Sequence, residues 1–117
     1  MSFSASAEYR AAIFLPHSSA FWDRLANFAE AAADDIGLEL DIYLAEGSAD
    51  QMLNQVRQAS ENGVDAIIFM EYKGIGELIL KIAEQHQIPA LLYNTGLDNT
   101  GLLPRVHYKK WLGSIVP

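Results

Sequence analysis

A chain of 117 residues has the length of one domain and enough substance to bury a core. Half of it is hydrophobic, and 15 acids against 8 lysines and arginines leave a formal charge of −7, which disfavours a phosphate backbone as partner, so no nucleic acid is expected. The absence of cysteine excludes disulfides, thiolate metal sites and cysteine nucleophiles, and no apolar run approaches the roughly 20 residues of a membrane-spanning helix.

The opening Met-Ser-Phe-Ser-Ala-Ser-Ala-Glu-Tyr-Arg has neither a basic n-region nor an apolar h-region, so it is not an intact signal peptide. Ala5-Ser6-Ala7 has the form of a small-residue cleavage motif, or of chance alanines in a polar start. Residues 1–9 are expected to be disordered, ahead of a domain spanning 10–117. Arg10 to Leu15 reads as a strand ended by Pro16, which has no N–H for a ladder. Phe21, Trp22, Leu25, Phe28, Ala29, Ala32 and Ile36 then recur at helical spacing, with Gly37 as the closing residue. Leu38, Leu40, Ile42 and Leu44 alternate with Glu39, Asp41 and Tyr43, the pattern of a half-buried strand at a sheet edge.

Ser48 and Gln51 have capping-box spacing, opening a helix from about Ala49 to Asn62 that stops at Gly63. Ala66-Ile-Ile-Phe-Met70 is continuously apolar, as expected of a central parallel strand covered on both faces. Ile75, Leu78, Ile79, Ile82 and Ala83 form the stripe of a third helix, ending before Ile88-Pro89 because the residue before proline avoids the α region. Ala90 to Tyr93 is a fourth strand, Asn94 to Lys110 a long loop of the kind that is usually functional or mobile, and Trp111 to Val116 a fifth strand. The chain stops without the helix that should follow, which suggests an incomplete domain.

Three strand-helix-strand units with right-handed crossovers predict an α/β fold: a doubly wound parallel five-stranded sheet of flavodoxin-like order 2-1-3-4-5. Its strand-end loops, Pro16 to Ala20, Ala45 to Ser48, Glu71 to Gly74 and Asn94 onward, open on one edge. The switch point between strands 1 and 3 places His17, Ser18 and Ser19 opposite Glu71 and Tyr72. Phe21 and Trp22 offer flat apolar faces to a sugar-like ligand, whose hydroxyls polar groups would hold. Equally, one of the two aromatics is core, since adjacent helical positions point about 100° apart. Ser18 and Ser19 read as helix caps or as ligand contacts.

Other chemistries fit poorly. Gly74-Ile-Gly76 opens a helix after a strand but lacks the third glycine of a dinucleotide fingerprint, with Ile79 in its place, and follows the wrong strand. The loop after strand 1 has no glycine for a flavodoxin-like phosphate site. A response-regulator receiver needs an aspartate at the end of strand 3, where Met70-Glu71-Tyr72 supplies a glutamate. His17, His86 and His107 are scattered, and no nucleophile-base set or metal-ligand spacing appears, so neither enzymatic activity nor a cofactor is expected.

The succession Ile13-Phe-Leu-Pro, Ser19-Ala-Phe-Trp22, Gly37-Leu-Glu-Leu, Asp50-Gln, Gln55-Val, Gly63-Val-Asp-Ala-Ile-Ile68 and Ile88-Pro89 with a strand ending in Asn94 resembles a known family. It is the amino-terminal lobe of type I periplasmic sugar-binding proteins, shared with lactose-repressor-type effector domains. The resemblance covers about Arg10 to Pro117. It implies a two-lobed clamp, periplasmic, delivering a small sugar-like molecule to a membrane permease or reporting it to a sensor protein.

Residue by residue, it implies that Ser19 stands for a polar ligand contact usually held by asparagine, and Phe21 and Trp22 for the aromatics that sandwich the sugar ring. Asn94 and Thr95 stand where aspartate and arginine are common. Losing that pair removes the strongest charge-assisted bonds to sugar hydroxyls, which counts against a simple pentose or hexose. The long loop, with Arg105, Tyr108, Lys109 and Trp111, looks more like members that include autoinducer-binding and sensory proteins. The ligand-binding set is therefore Ser18, Ser19, Phe21, Trp22, Glu71, Asn94 and Thr95, on the binding lobe of a transporter's solute-binding protein. The alternative is a sensory or regulatory effector lobe. With the second lobe absent from this sequence, self-association through uncovered surface is expected.

Overall fold

The structure, a computed structural model, describes residues 9–93 and 104–115. In chain order they form β1 (Arg10–Leu15), α1 (Ala20–Ile36), β2 (Glu39–Leu44), α2 (Ala49–Glu61), β3 (Ala66–Phe69), α3 (Gly76–Gln85), β4 (Ala90–Tyr93) and β5 (Trp111–Ile115). All neighbouring strands run parallel, in the order β2-β1-β3-β4-β5, so the expected switch point does lie between β1 and β3. Asn94, Thr95 and the Ala5-Ser6-Ala7 motif fall outside the described residues.

Side-chain caps start the first two helices. Ser19 Oγ accepts the Trp22 N–H at 3.2 Å, and Ser48 Oγ accepts the Gln51 N–H at 3.1 Å. The capping box at Ser48 is only half made. Gln51 Nε2 turns instead toward the Leu44 carbonyl at 3.4 Å, where Gln55 Nε2 also donates at 2.9 Å, and the Ser48 N–H goes to Ala45. The last carbonyl of an edge strand needs a donor, and these amides supply it. At the end of α1, Gly37 takes the left-handed conformation, φ 73°, and its N–H returns to Ala33 and Asp34.

The two sheet faces are covered unequally. On one, Ala12, Phe14, Ile67, Phe69, Ala90, Leu92 and Trp111 meet Met52, Leu53, Val56 and Ala59 of α2 and Ile79, Leu80, Ile82 and Ala83 of α3. Edge strand β2 joins this core through Tyr43, stacked on Phe14 with centroids 5.0 Å apart. On the other, Ile13, Leu15, Met70 and Tyr93 meet α1 through Trp22, Leu25 and Ala26, with Tyr72 of the β3–α3 loop beside them, and among the described residues no second helix packs there.

Two expectations change here. Along β3, Ile67 and Phe69 are buried but Ala66 and Ile68 only half so, because among the described residues one helix covers that side. Along α1, Phe28 and Ile36 share the predicted apolar stripe yet are 75% and 76% exposed, and Ala33 is the residue that is buried.

Before β5, residues 104–110 lie against α3. Tyr108 Oη donates to Glu77 at 2.7 Å, and Glu84 accepts the N–H groups of Lys109 and Lys110 at 3.2 and 2.9 Å. The Lys110 carbonyl then accepts the Ala90 N–H at 2.8 Å, which feeds the chain into β5 beside β4.

Candidate functional site

Among the described residues, the carboxyl ends of β1, β2 and β3 gather three loops on one edge. The first two are pinned together by backbone: the Leu15 and Pro16 carbonyls accept the N–H groups of Ala45 and Gly47 at 2.9 and 2.8 Å. That crossing bends the β2–α2 loop so tightly that Glu46 and Gly47 both take positive φ, 54° and 81°. The third loop is tied in by a side chain. Lys73 Nζ donates to the Gly47 carbonyl at 2.8 Å and lies 5.2 Å from the centre of the Tyr72 ring. The loops after β2 and β3 thus form a clasp around the loop after β1, which leads into the aromatic pair.

Ser18 and Ser19 diverge. Ser19 Oγ is the cap of α1, whereas exposed Ser18 Oγ donates to both carboxylate oxygens of Asp23 at 3.0 and 3.1 Å. Both serines thus brace the first turn of α1 at this edge. Phe21 and Trp22 also diverge, as their angular separation requires. Trp22 is half-buried, packs on the smaller core and meets Tyr93 edge to face at 6.5 Å. Phe21 stands 56% exposed, its ring 4.7 Å from the Trp22 ring and at 82° to it. The two rings stand roughly perpendicular, one exposed and one half-buried, and together form an apolar wall at the start of α1.

Tyr93 closes the floor beneath that wall. Its hydroxyl donates to the Phe14 carbonyl at 3.2 Å, and burial pushes the phenol far above its ordinary range, so it stays neutral. The sequence signal for Tyr93 is its place as the polar-tipped end of an apolar strand. Glu71 lies on the opposite side of the switch point, where its Oε1 accepts the Gly76 N–H at 2.7 Å at the start of α3. His17, exposed, has Nδ1 3.2 Å from the Ser18 carbonyl. Of the sequence-derived set, Ser18, Ser19, Phe21 and Trp22 share one wall, Glu71 borders the adjacent loop, and Asn94 and Thr95 lie outside the described residues.

Other surfaces do not compete with this edge. A polar depression along α2, lined by Gln51, Asn54, Arg57 and Glu61, lies among side chains of a single helix. An apolar groove of about 230 Å³ runs along the outside of α1 between Phe21, Arg24, Leu25 and Phe28. At the far end of the sheet, Arg10 pairs with Glu39 at 3.1 Å and Asp41 at 3.4 Å, which joins β1 to β2. Among the described residues no three histidines or acids cluster as metal ligands, and no helix is long and apolar enough to cross a membrane.

The family described as periplasmic binding proteins and sugar binding domain of LacI family matches residues 11–110. The chain belongs to this family. Within it, the fold coincides with that of a galactofuranose binding protein, at 21% identity and TM-score 0.75 over 92% of this chain and 35% of the other. A periplasmic sugar-binding protein from Pseudomonas fluorescens is similar at 24% identity and TM-score 0.74, over 92% of this chain and 31% of that one. An ABC transporter periplasmic solute binding protein from Actinobacillus succinogenes 130z, with bound D-allose, is similar at 23% identity and TM-score 0.69, over 81% and 36%. This periplasmic-binding-protein chain thus spans about a third of the length of the solved structures it matches. No curated protein sequence matches it significantly.

Proposed function

We propose that residues 10–117 are the amino-terminal, sugar-binding lobe of a periplasmic solute-binding protein that serves an ABC permease. The observation that carries this reading is the aromatic wall at the switch point, in a chain whose family is built around sugar binding. Phe21 supplies the exposed ring face for the CH-lined side of a sugar, and Trp22, held by Tyr93, fixes its angle. Ser18 and Asp23 offer hydroxyl and carboxylate groups beside the wall, and Ser19 sets the helix turn that presents it. Structures of similar fold that hold D-allose or myo-inositol support a polyhydroxylated ligand. The family's name and the Pseudomonas fluorescens protein support a periplasmic setting. The arrangement positions and releases such a ligand.

One lobe makes about half the contacts of a closed clamp. Halving a micromolar binding energy of about −8 kcal/mol leaves about −4 kcal/mol, a dissociation constant near 1 mM. Binding at that strength is visible by saturation-transfer NMR and close to invisible by calorimetry. The expected result is magnetisation transfer from the chain to myo-inositol that disappears in Phe21→Ala and persists in Phe28→Ala. Transfer that is absent from wild type, or unchanged in Phe21→Ala, contradicts the reading.

A further inference from the structure

The Gly74-Ile-Gly76 turn opens α3 on the ligand edge, and its use becomes clear from what fills it. Amino ends of helices attract anions, because their first N–H groups lack intrahelical partners and the helix dipole is positive there. At α3 that position holds the chain's own carboxylate: Glu71 Oε1 accepts the Gly76 N–H at 2.7 Å, while the preceding residue, Ile75, gives no side-chain cap. The fit is close. A Cβ at position 76 would lie 3.0 Å from Cδ, Oε1 and Oε2 of Glu71 alike, so glycine lets the carboxylate settle there without a shift. The cation of this loop is turned elsewhere, since Lys73 reaches across to the Gly47 carbonyl and lies over Tyr72. An incoming phosphate or carboxylate would therefore meet a filled helix end and a like charge.

We propose that Glu71 is a specificity determinant: by occupying the amino end of α3, its carboxylate turns the ligand edge against anions, so that the lobe selects uncharged sugars over phosphorylated or acidic ones. This rests on the reading of the edge as the ligand site, and it assigns Glu71 a positioning and excluding role rather than a direct hold on the sugar.

The test uses the full chain and inorganic phosphate at constant ionic strength, followed through the Gly76 backbone amide resonance. In wild type the resonance stays in place. In Glu71→Ala it moves saturably, at least tenfold more responsive than wild type, while the Gln51 amide at the start of α2, capped by Ser48, stays still in both. No movement in the variant, or equal movement in wild type, overturns the proposal. Should Glu71→Ala fail to fold, Glu71→Ser is titrated instead. It keeps a polar side chain but removes both the charge and the acceptor that reaches Gly76, and the same two outcomes decide. The titration needs no sugar: a wild-type chain that binds none defeats the functional reading alone, and a wild-type response to phosphate defeats this inference alone.

Discussion

Beneath α2 and α3 the sheet buries Phe14, Ile67, Phe69, Leu92 and Trp111 in one large cluster, whereas toward α1 the buried set is smaller, Ile13, Leu15, Met70 and Tyr93, and Ile68 stays half-buried. The strands are the same; among the described residues the number of helices packed over them differs. A strand's two faces carry alternating residues, so one strand is core on one side and surface on the other. Fewer buried apolar contacts lower the local cost of opening, and elements that must receive a ligand are drawn from that end of the stability range. Here the thinly covered side holds Trp22, Tyr93 and the start of α1, which are the elements assigned to the sugar.

That contrast can be broken most forcefully at two phenylalanines. Phe14→Ala removes a fully buried ring stacked on Tyr43 and is expected to cost about 3–5 kcal/mol in urea unfolding. Phe28→Ala, on the water-facing side of α1, is expected to change stability by less than about 0.5 kcal/mol. A large loss at Phe28 would mean that something covers the outer face of α1 in solution. The same position sharpens the expectation of self-association. Sedimentation of the wild-type chain at high concentration is expected to show association that Phe28→Asp weakens, because a charge is then placed in the apolar groove with Phe21 and Leu25.

A smaller effect is expected on the well-covered side, where Tyr108 ties the segment before β5 to α3. Partial burial and its bond to Glu77 push the phenol up to about 12. The folded state then holds this proton at a pH where the unfolded chain, titrating near 10, has begun to lose it. The stability this contributes is complete below about pH 10 and is lost as pH rises toward 12. Thermal melts across that window are expected to fall more steeply for wild type than for Tyr108→Phe. Equal slopes would mean that Tyr108 is solvated as freely folded as unfolded.

How much of this was legible in the residues depends on what a pattern can encode. Strand alternation, the unbroken run Ala66 to Met70, and the caps at Ser19, Ser48 and Gly37 determine element type and sheet order, because each is a local consequence of backbone geometry. Periodicity says that Phe28 and Ile36 share a face with Leu25; it does not say that a neighbour covers the whole face, and here none does among the described residues. The roles of adjacent aromatics were undecidable for a related reason: a 100° separation forces one inward, and the sheet beneath chooses Trp22. Glu71 read as a ligand group because it follows a central strand. Its bond to Gly76 depends on a turn, through left-handed Lys73 and Gly74, that no spacing rule describes.

The central claim is that sugar meets the chain at Phe21 and Trp22, and the two tryptophans provide an internal comparison. Trp22 stands at the proposed ligand edge, while Trp111 is buried under α2 and α3 with its indole N–H bound to the Gly113 carbonyl at 3.1 Å. In a ¹⁵N-resolved titration with myo-inositol to concentrations well above 1 mM, the Trp22 indole resonance is expected to move and saturate while that of Trp111 stays fixed, given a dissociation constant of about 1 mM. Movement of Trp111 alone, or stillness of both, would contradict the assignment of this edge as the sugar site.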